Sequence, residues 1–183
     1  MAEQGGKKRI NSRNKGSEYE RKIAKVLGAW WDEEFHRTPM SGGLHWAEDN
    51  RVAGDIVTPP TSMYPWVTEL KKREEWEFDH LLKGTGEIEK YWQQVVRDSE
   101  RTGMKPMLIF SKNHAPNYLM IDLYDYNVIM EAKAWLAPRF AHFVVVKPGY
   151  NTRVVCILED FLKFVSKADV VRAFGLRRSV HLE

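Results

Sequence analysis

The sequence predicts an α/β fold, a central sheet flanked by helices, on three observations. Runs with helical spacing alternate with short apolar, β-branched runs between residues 17 and 110. The short runs are bounded by Pro, Gly or charged residues, as strands are. No internal repeat or low-complexity tract interrupts the pattern, so one α/β domain with a C-terminal elaboration is expected.

Ser17 can cap a first helix, and Glu20 three residues later completes a capping box. Ile23, Val26, Leu27 and Trp30 form its buried stripe, and Gly28 weakens its end, which gives a helix over 17–29. Residues 34–38 read as a first strand, broken by Pro39, Gly42 and Gly43, with 44–52 as loop. A second strand spans 52–58 and stops at Pro59-Pro60; a third spans 66–71 after Pro65, and the connection between them is close to a hairpin. Residues 73–84 are charged, with Trp76 and Phe78 interleaved, and carry no clear assignment. Glu87 to Thr102 has helical spacing, with Gly103 as its C-cap.

Met107–Phe110 is a short buried strand, and Tyr118–Leu123 is another. A helix over 127–136 ends before Pro138. Strands at 143–147 and 153–157 flank the turn signal at 148–151, which makes them a hairpin. A helical stretch over 159–174, in one piece or two, closes the chain; Ser166 and Asp169 form a second capping box and Gly175 ends it.

The chain has 183 residues, enough for a sizeable core, and at 43% hydrophobic and 29% charged it has the composition of a soluble globular protein. No apolar run approaches the roughly 18–20 residues of a membrane span. The polar N-terminus has no secretory pattern, so an intracellular setting is expected. Cys156 stands alone in an apolar run and reads as a buried core thiol. A formal charge of +3 is a mild bias, but Lys7, Lys8, Arg9, Arg13 and Lys15 crowd the first 15 residues, a flexible basic arm that either solubilises or contacts phosphates.

Asp55 and Glu69 are the chemically suggestive residues. Alternate side chains of a strand share a face, so Glu69 and Lys71 point one way and Leu70 the other. Hairpin pairing would bring Asp55 beside them. Two carboxylates and an ammonium on one spot of a sheet can hold a hard divalent cation and steady a phosphate oxygen.

Five pieces in order carry a resemblance: Lys15-Gly16-Ser17-Glu18-Tyr19-Glu20-Arg21, Arg37-Thr38-Pro39-Met40-Ser41-Gly42-Gly43, Gly54-Asp55-Ile56, Glu69-Leu70-Lys71 and Gln93-Gln94-Val95. Over roughly residues 13–112 the chain resembles the PD-(D/E)xK nuclease superfamily, and within it the archaeal-type Holliday junction resolvases, which some phages also encode. The resemblance implies a restriction-endonuclease-like core with a central mixed sheet, a nuclease domain over 16–183 with its core at about 16–112 and the elaboration at about 113–183. It departs in two places: Gly54 stands where the family has proline, and residues after about 113 have no counterpart in a minimal resolvase.

The resemblance also implies roles. Asp55, Glu69, Glu20 and the Leu70 carbonyl would hold Mg²⁺, with Mn²⁺ able to substitute. Lys71 would stabilise the phosphate or orient the attacking water. Ser41 would approach the scissile phosphate. Gln93 and Gln94 sit ~100° apart on a helix, so one can orient the site, and Gln94 is preferred. For Glu20 the helix cap and the metal remain competing roles. Arg37 can pair a phosphate bidentately or simply edge a strand.

Other features read more plainly. His45, Glu48 and Asp49 fit no metal motif and lie in a loop that could touch DNA. Trp30, Trp92 and Phe110 belong to the core, whereas Trp46 and Trp76 are candidates for DNA contact or a dimer surface. His114 is a loop histidine, and Asp122 and Asp125 face solvent. No phosphate-binding P-loop is present, so no nucleotide cofactor is expected. The function expected is a Mg²⁺-dependent, homodimeric endonuclease acting on four-way DNA junctions in the cytoplasm or nucleoid. The alternatives are a flap, end or sequence-specific endonuclease on the same fold, or a non-catalytic DNA-binding protein.

Overall fold

A computed structural model of the chain describes residues 12–39, 53–133, 140–147 and 151–176, with side chains from residue 15. Lys7, Lys8, Arg9, Ser41, His45, Trp46, Glu48 and Asp49, the side chain of Arg13 and most of the 148–151 turn lie outside the described residues.

The first helix, α1 (Ser12–Trp31), starts five residues before the expected cap and runs two beyond the expected end. Arg, Asn and Lys at 13–15 do not break a helix, so Ser17 falls in its interior and the Ser17–Glu20 capping box does not form. Its buried stripe is Tyr19, Ile23, Leu27 and Trp31, spaced four apart, with Ala24 beside them. Trp30 is only half-buried and donates its indole N–H to the Val165 carbonyl at 2.7 Å. Gly28 does not end the helix; it lets the chain turn back, because a Cβ there would stand 2.6 Å from the Glu33 carbonyl oxygen.

Two short strands follow, β1 (His36–Arg37) and β2 (Ile56–Val57), and they pair antiparallel with each other. The expected hairpin of residues 52–58 with 66–71 is therefore corrected. Pro59 and Pro60 have no N–H to extend a ladder, and the third strand, β3 (Trp66–Lys72), is reached by a main-chain bond from Asp55, the residue before β2. Next come α2 (Phe78–Leu82) in the unassigned stretch, α3 (Gly86–Thr102) ending at the expected Gly103, and β4 (Lys105–Ser111).

The C-terminal part supplies β5 (Tyr118–Asp122), α4 (Leu123–Ala132), β6 (His142–Val145), β7 (Arg153–Ile157), α5 (Leu158–Phe164) and α6 (Lys167–Ala173). Helix α4 starts four residues earlier than expected because Asp122 caps it, accepting from the Tyr124 N–H at 2.8 Å. The closing stretch forms two helices, and Ser166 with Asp169 makes the expected capping box.

The larger sheet has five strands in the order β3-β4-β5-β7-β6, with β3 parallel to β4 and the other pairs antiparallel. The expected mixed sheet is present, and residues after 113 extend it. Strand alternation sorts the core onto two faces. Trp66, Leu70, Met107, Ile109, Val154 and Cys156 pack with α1, α4, α5 and α6; Val67, Leu108, Phe110, Met120 and Val155 pack with α2 and α3.

Two side chains read as exposed are buried. Trp76 is 2% exposed and packs edge-on against Phe110 and Tyr118, so it is core. Asp125 is 3% exposed because the Lys105 ammonium meets it at 2.5 Å, which makes burial of its carboxylate tolerable. Cys156 is buried as expected, and burial pushes its thiol up to about 12.

Candidate functional site

Among the described residues β3 is an edge strand of the sheet, and Asp55 covers part of that edge. The Asp55 N–H donates to the Thr68 carbonyl, and the Leu70 N–H donates to the Asp55 carboxylate, each at 2.8 Å. A residue's N–H and C=O point to the same side of a strand, so the Leu70 carbonyl faces the Asp55 edge too. Thr38 closes the loop from the other side: its hydroxyl donates to the Gly54 carbonyl at 2.8 Å, and its N–H to the Asp55 carbonyl at 2.9 Å.

Gly54 makes this docking possible. Its φ is +74°, and a Cβ would stand 2.5 Å from the Thr68 carbonyl oxygen. Proline, locked near φ −65°, could not occupy this conformation. A proline at position 54 would require a different backbone ahead of Asp55.

Glu69 and Lys71 share the opposite face from Leu70, as alternation requires. Glu69 is 3% exposed. Its Oε1 accepts from the Lys71 ammonium at 2.5 Å and from the Gln94 amide at 2.9 Å. Gln93 instead donates to Glu89, so α3 turns Gln94 toward β3. The Tyr91 ring lies 5.1 Å from the Lys71 ammonium. Glu20 comes from α1 and accepts from Arg37 of β1 at 2.9 Å, so its carboxylate meets a guanidinium rather than a helix N–H.

These elements border a groove of about 340 Å³ whose walls include Lys15, Gly16, Glu20, Asp55, Leu70, Lys71 and Lys72. Glu69 does not itself line it; Lys71 does. Burial raises the Asp55 carboxyl from 3.8 to about 7, and the charges of Glu69 and Glu20 add to the rise, while the Leu70 N–H and Lys71 oppose it. Glu20, Asp55 and Glu69 bring three carboxyl groups together, and Asp55 bonds the Leu70 N–H rather than a cationic side chain among the described residues. That chemistry suits a divalent cation, which would displace the proton Asp55 otherwise keeps near neutral pH.

Among the described residues no group of three or more His, Cys, Asp or Glu side chains stands close enough to hold a metal. Asp55, Glu69 and the Leu70 carbonyl could nevertheless hold a hard ion such as Mg²⁺. Such an ion commonly keeps several waters and takes only one or two carboxylates. Glu20 is nearby but engaged by Arg37.

The structure thus brings together Glu20, Arg37, Asp55, Glu69, Leu70, Lys71 and Gln94, and sets Lys15 on the same groove. Sequence reasoning missed Thr38 and Tyr91. Tyr91 precedes Gln94 by three residues, a spacing that shares a helix face and could have signalled it.

A family profile described as "Phage putative PDDEXK endonuclease" matches residues 11–172. "Protein D14" of Escherichia phage T5 is 31% identical over 120 residues, covering 63% of this chain and 74% of that protein. No solved structure matches. The profile spans the C-terminal strands and helices as well as the groove, and the mixed sheet flanked by helices is consistent with a restriction-endonuclease-like fold.

Proposed function

The chain belongs to the phage PDDEXK endonuclease family, and from that premise we propose that it is a Mg²⁺-dependent endodeoxyribonuclease that resolves four-way DNA junctions as a homodimer. The observation that carries the metal-dependent part is Asp55, bonded to the Leu70 N–H on the edge of β3 and raised to about 7 by burial and by the charge of Glu69. The resemblance of the motifs from Lys15 to Val95 to the archaeal-type Holliday junction resolvases is what supports the junction as substrate.

In this reading Asp55, Glu69 and the Leu70 carbonyl would hold the cation, and Glu20 would join them directly or through water. When bound, Mg²⁺ lowers the pKa of a water and offsets charge on the scissile phosphate. Lys71 turns from Glu69 to donate to a phosphate oxygen or to orient the attacking water. Gln94 keeps Glu69 aimed by donating to Oε1. Arg37 and Ser41 contact the phosphate, and Lys7, Lys8, Arg9, Arg13 and Lys15 contact the DNA backbone, which would make binding salt-dependent. A two-fold dimer would present two identical sites to a two-fold junction.

The second reading is a flap, end or sequence-specific endonuclease. It is favoured equally by the family description, which names no substrate. Cleavage of an immobile four-way junction, compared with a linear duplex of equal sequence, separates the two. Paired symmetric nicks on the junction alone support the resolvase; equal cutting of the duplex supports the second reading.

A further inference from the structure

Gly16 lies in the interior of α1, a helix of 20 residues. Glycine is a poor helix former because it loses the most backbone freedom on folding and has no side chain to pack. Two other glycines are required by the fold: a Cβ would stand 2.6 Å from the Glu33 carbonyl oxygen at Gly28, and 2.5 Å from the Thr68 carbonyl oxygen at Gly54. Gly16 has no positive φ, and among the described residues a Cβ there would meet only Glu20 Oε1, at 3.9 Å, an ordinary contact. Nothing in the described chain needs the missing side chain.

What the missing side chain does is leave one wall of the groove bare beside Glu20. Lys15 and Lys72 line the same groove, and the Lys72 ammonium sits 5.7 Å from the ring of Tyr19, one turn along α1. The bare backbone thus opens on a groove whose walls carry Lys15, Lys71, Lys72 and Arg73 as well as the carboxylates of Glu20, Asp55, Glu74 and Glu75. A group seated there could touch the lysines while an anionic oxygen reached toward a cation held by the carboxylates. Close approach of a ligand to backbone is a recurrent use of glycine.

We propose that Gly16 is a positioning residue: it leaves a bare patch on α1 where a phosphodiester of the DNA strand seats beside Glu20, with Lys15 and Lys72 as its counter-charges. This rests on the nuclease reading of the groove. A side chain at position 16 would fill the seat from the protein side without disturbing the fold. Stability and DNA affinity should therefore move in opposite directions, a pattern that a purely structural glycine does not give.

The test compares wild type, Gly16→Ala and Gly16→Leu. Thermal melting is measured alongside fluorescence anisotropy with a labelled four-way junction and a labelled duplex, each in EDTA and in Ca²⁺, so that binding is read with and without a cation on the carboxylates. Gly16→Ala is expected to melt about 3 °C higher and to bind DNA about tenfold more weakly, with Gly16→Leu weaker still. Unchanged DNA affinity in both variants overturns the proposal, as does a lower melting temperature for Gly16→Ala, which would mean that the fold itself needs the glycine. If wild type binds neither DNA, the nuclease reading fails and takes this proposal with it; failure of Gly16 alone leaves wild-type binding intact.

Discussion

Arg37 donates to Glu20 across 2.9 Å, joining β1 to the stretch of α1 that lines the groove, with the two side chains 22% and 23% exposed. The guanidinium stands where a cation or a phosphate would compete for partners. In the DNA-free protein it neutralises Glu20; a divalent cation that engages Glu20 would release Arg37 toward phosphate. Replacing Arg37 by Ala should therefore tighten Mn²⁺ binding to the DNA-free protein several-fold while weakening DNA binding. Titration calorimetry for the metal and anisotropy for the DNA measure the two effects. Equal weakening of both would show that Arg37 only supports the fold.

The Asp55 carboxyl makes stability pH-dependent. Its folded value is about 7, against 3.8 for a free side chain. Between roughly pH 4 and 7 the folded state keeps a proton that the unfolded chain has released, so metal-free stability falls as pH rises through that window and levels off above it. The effect is on the order of a few kcal/mol. Asp55→Asn keeps an acceptor for the Leu70 N–H and removes the charge. In urea titrations in EDTA the variant should be the more stable protein at pH 8 and should lose most of the slope between pH 5 and 8. Excess Mg²⁺ should stabilise wild type at pH 8 and leave the variant little changed.

Gln94 is tied to Glu69 at 2.9 Å, and that carboxylate is 3% exposed. Among the described residues Gln94→Leu removes one of two donors, Lys71 being the other, from a buried charge, a loss of about 1–3 kcal/mol in stability. It should also weaken divalent-cation binding about tenfold, because a group that aims a ligand is lost. Gln93→Leu, which cuts the bond to Glu89 instead, should leave cation affinity unchanged. Calorimetric titration of both variants makes the comparison.

Gly54→Ala should cost more than about 2 kcal/mol, since an alanine pays for the left-handed conformation and its Cβ meets the Thr68 carbonyl. Thermal denaturation should show the loss. Cation affinity should fall with it, because the same turn aims Asp55 at Leu70.

Much of this was legible in the sequence because local rules govern it. Alternation along Val67–Lys72 placed Glu69 and Lys71 on one face, and the 100° helical step separated Gln94 from Gln93. The capping box at Ser166 and the C-cap at Gly103 needed only their neighbours. What was not legible depends on long-range contacts. Ser17 looked like a cap because a serine three residues before a glutamate carries that signal whether or not the helix continues upstream. Trp76 looked exposed because polar neighbours surround it in sequence, and Asp125 because it carries a charge, while Phe110, Tyr118 and Lys105 bury them from elsewhere in the chain. Asp55 reached β3 by a single main-chain docking at Gly54 rather than by a hairpin ladder, a geometry that rests on one positive φ.

The most direct test of the central claim is DNA cleavage by wild type and Asp55→Asn, on junction and plasmid substrates, with Mg²⁺ and with EDTA. Wild type should cut in Mg²⁺ and not in EDTA, and the folded Asp55→Asn protein should not cut in either. Wild-type turnover by Asp55→Asn, or cleavage by wild type in EDTA, would contradict a metal-dependent site built on Asp55.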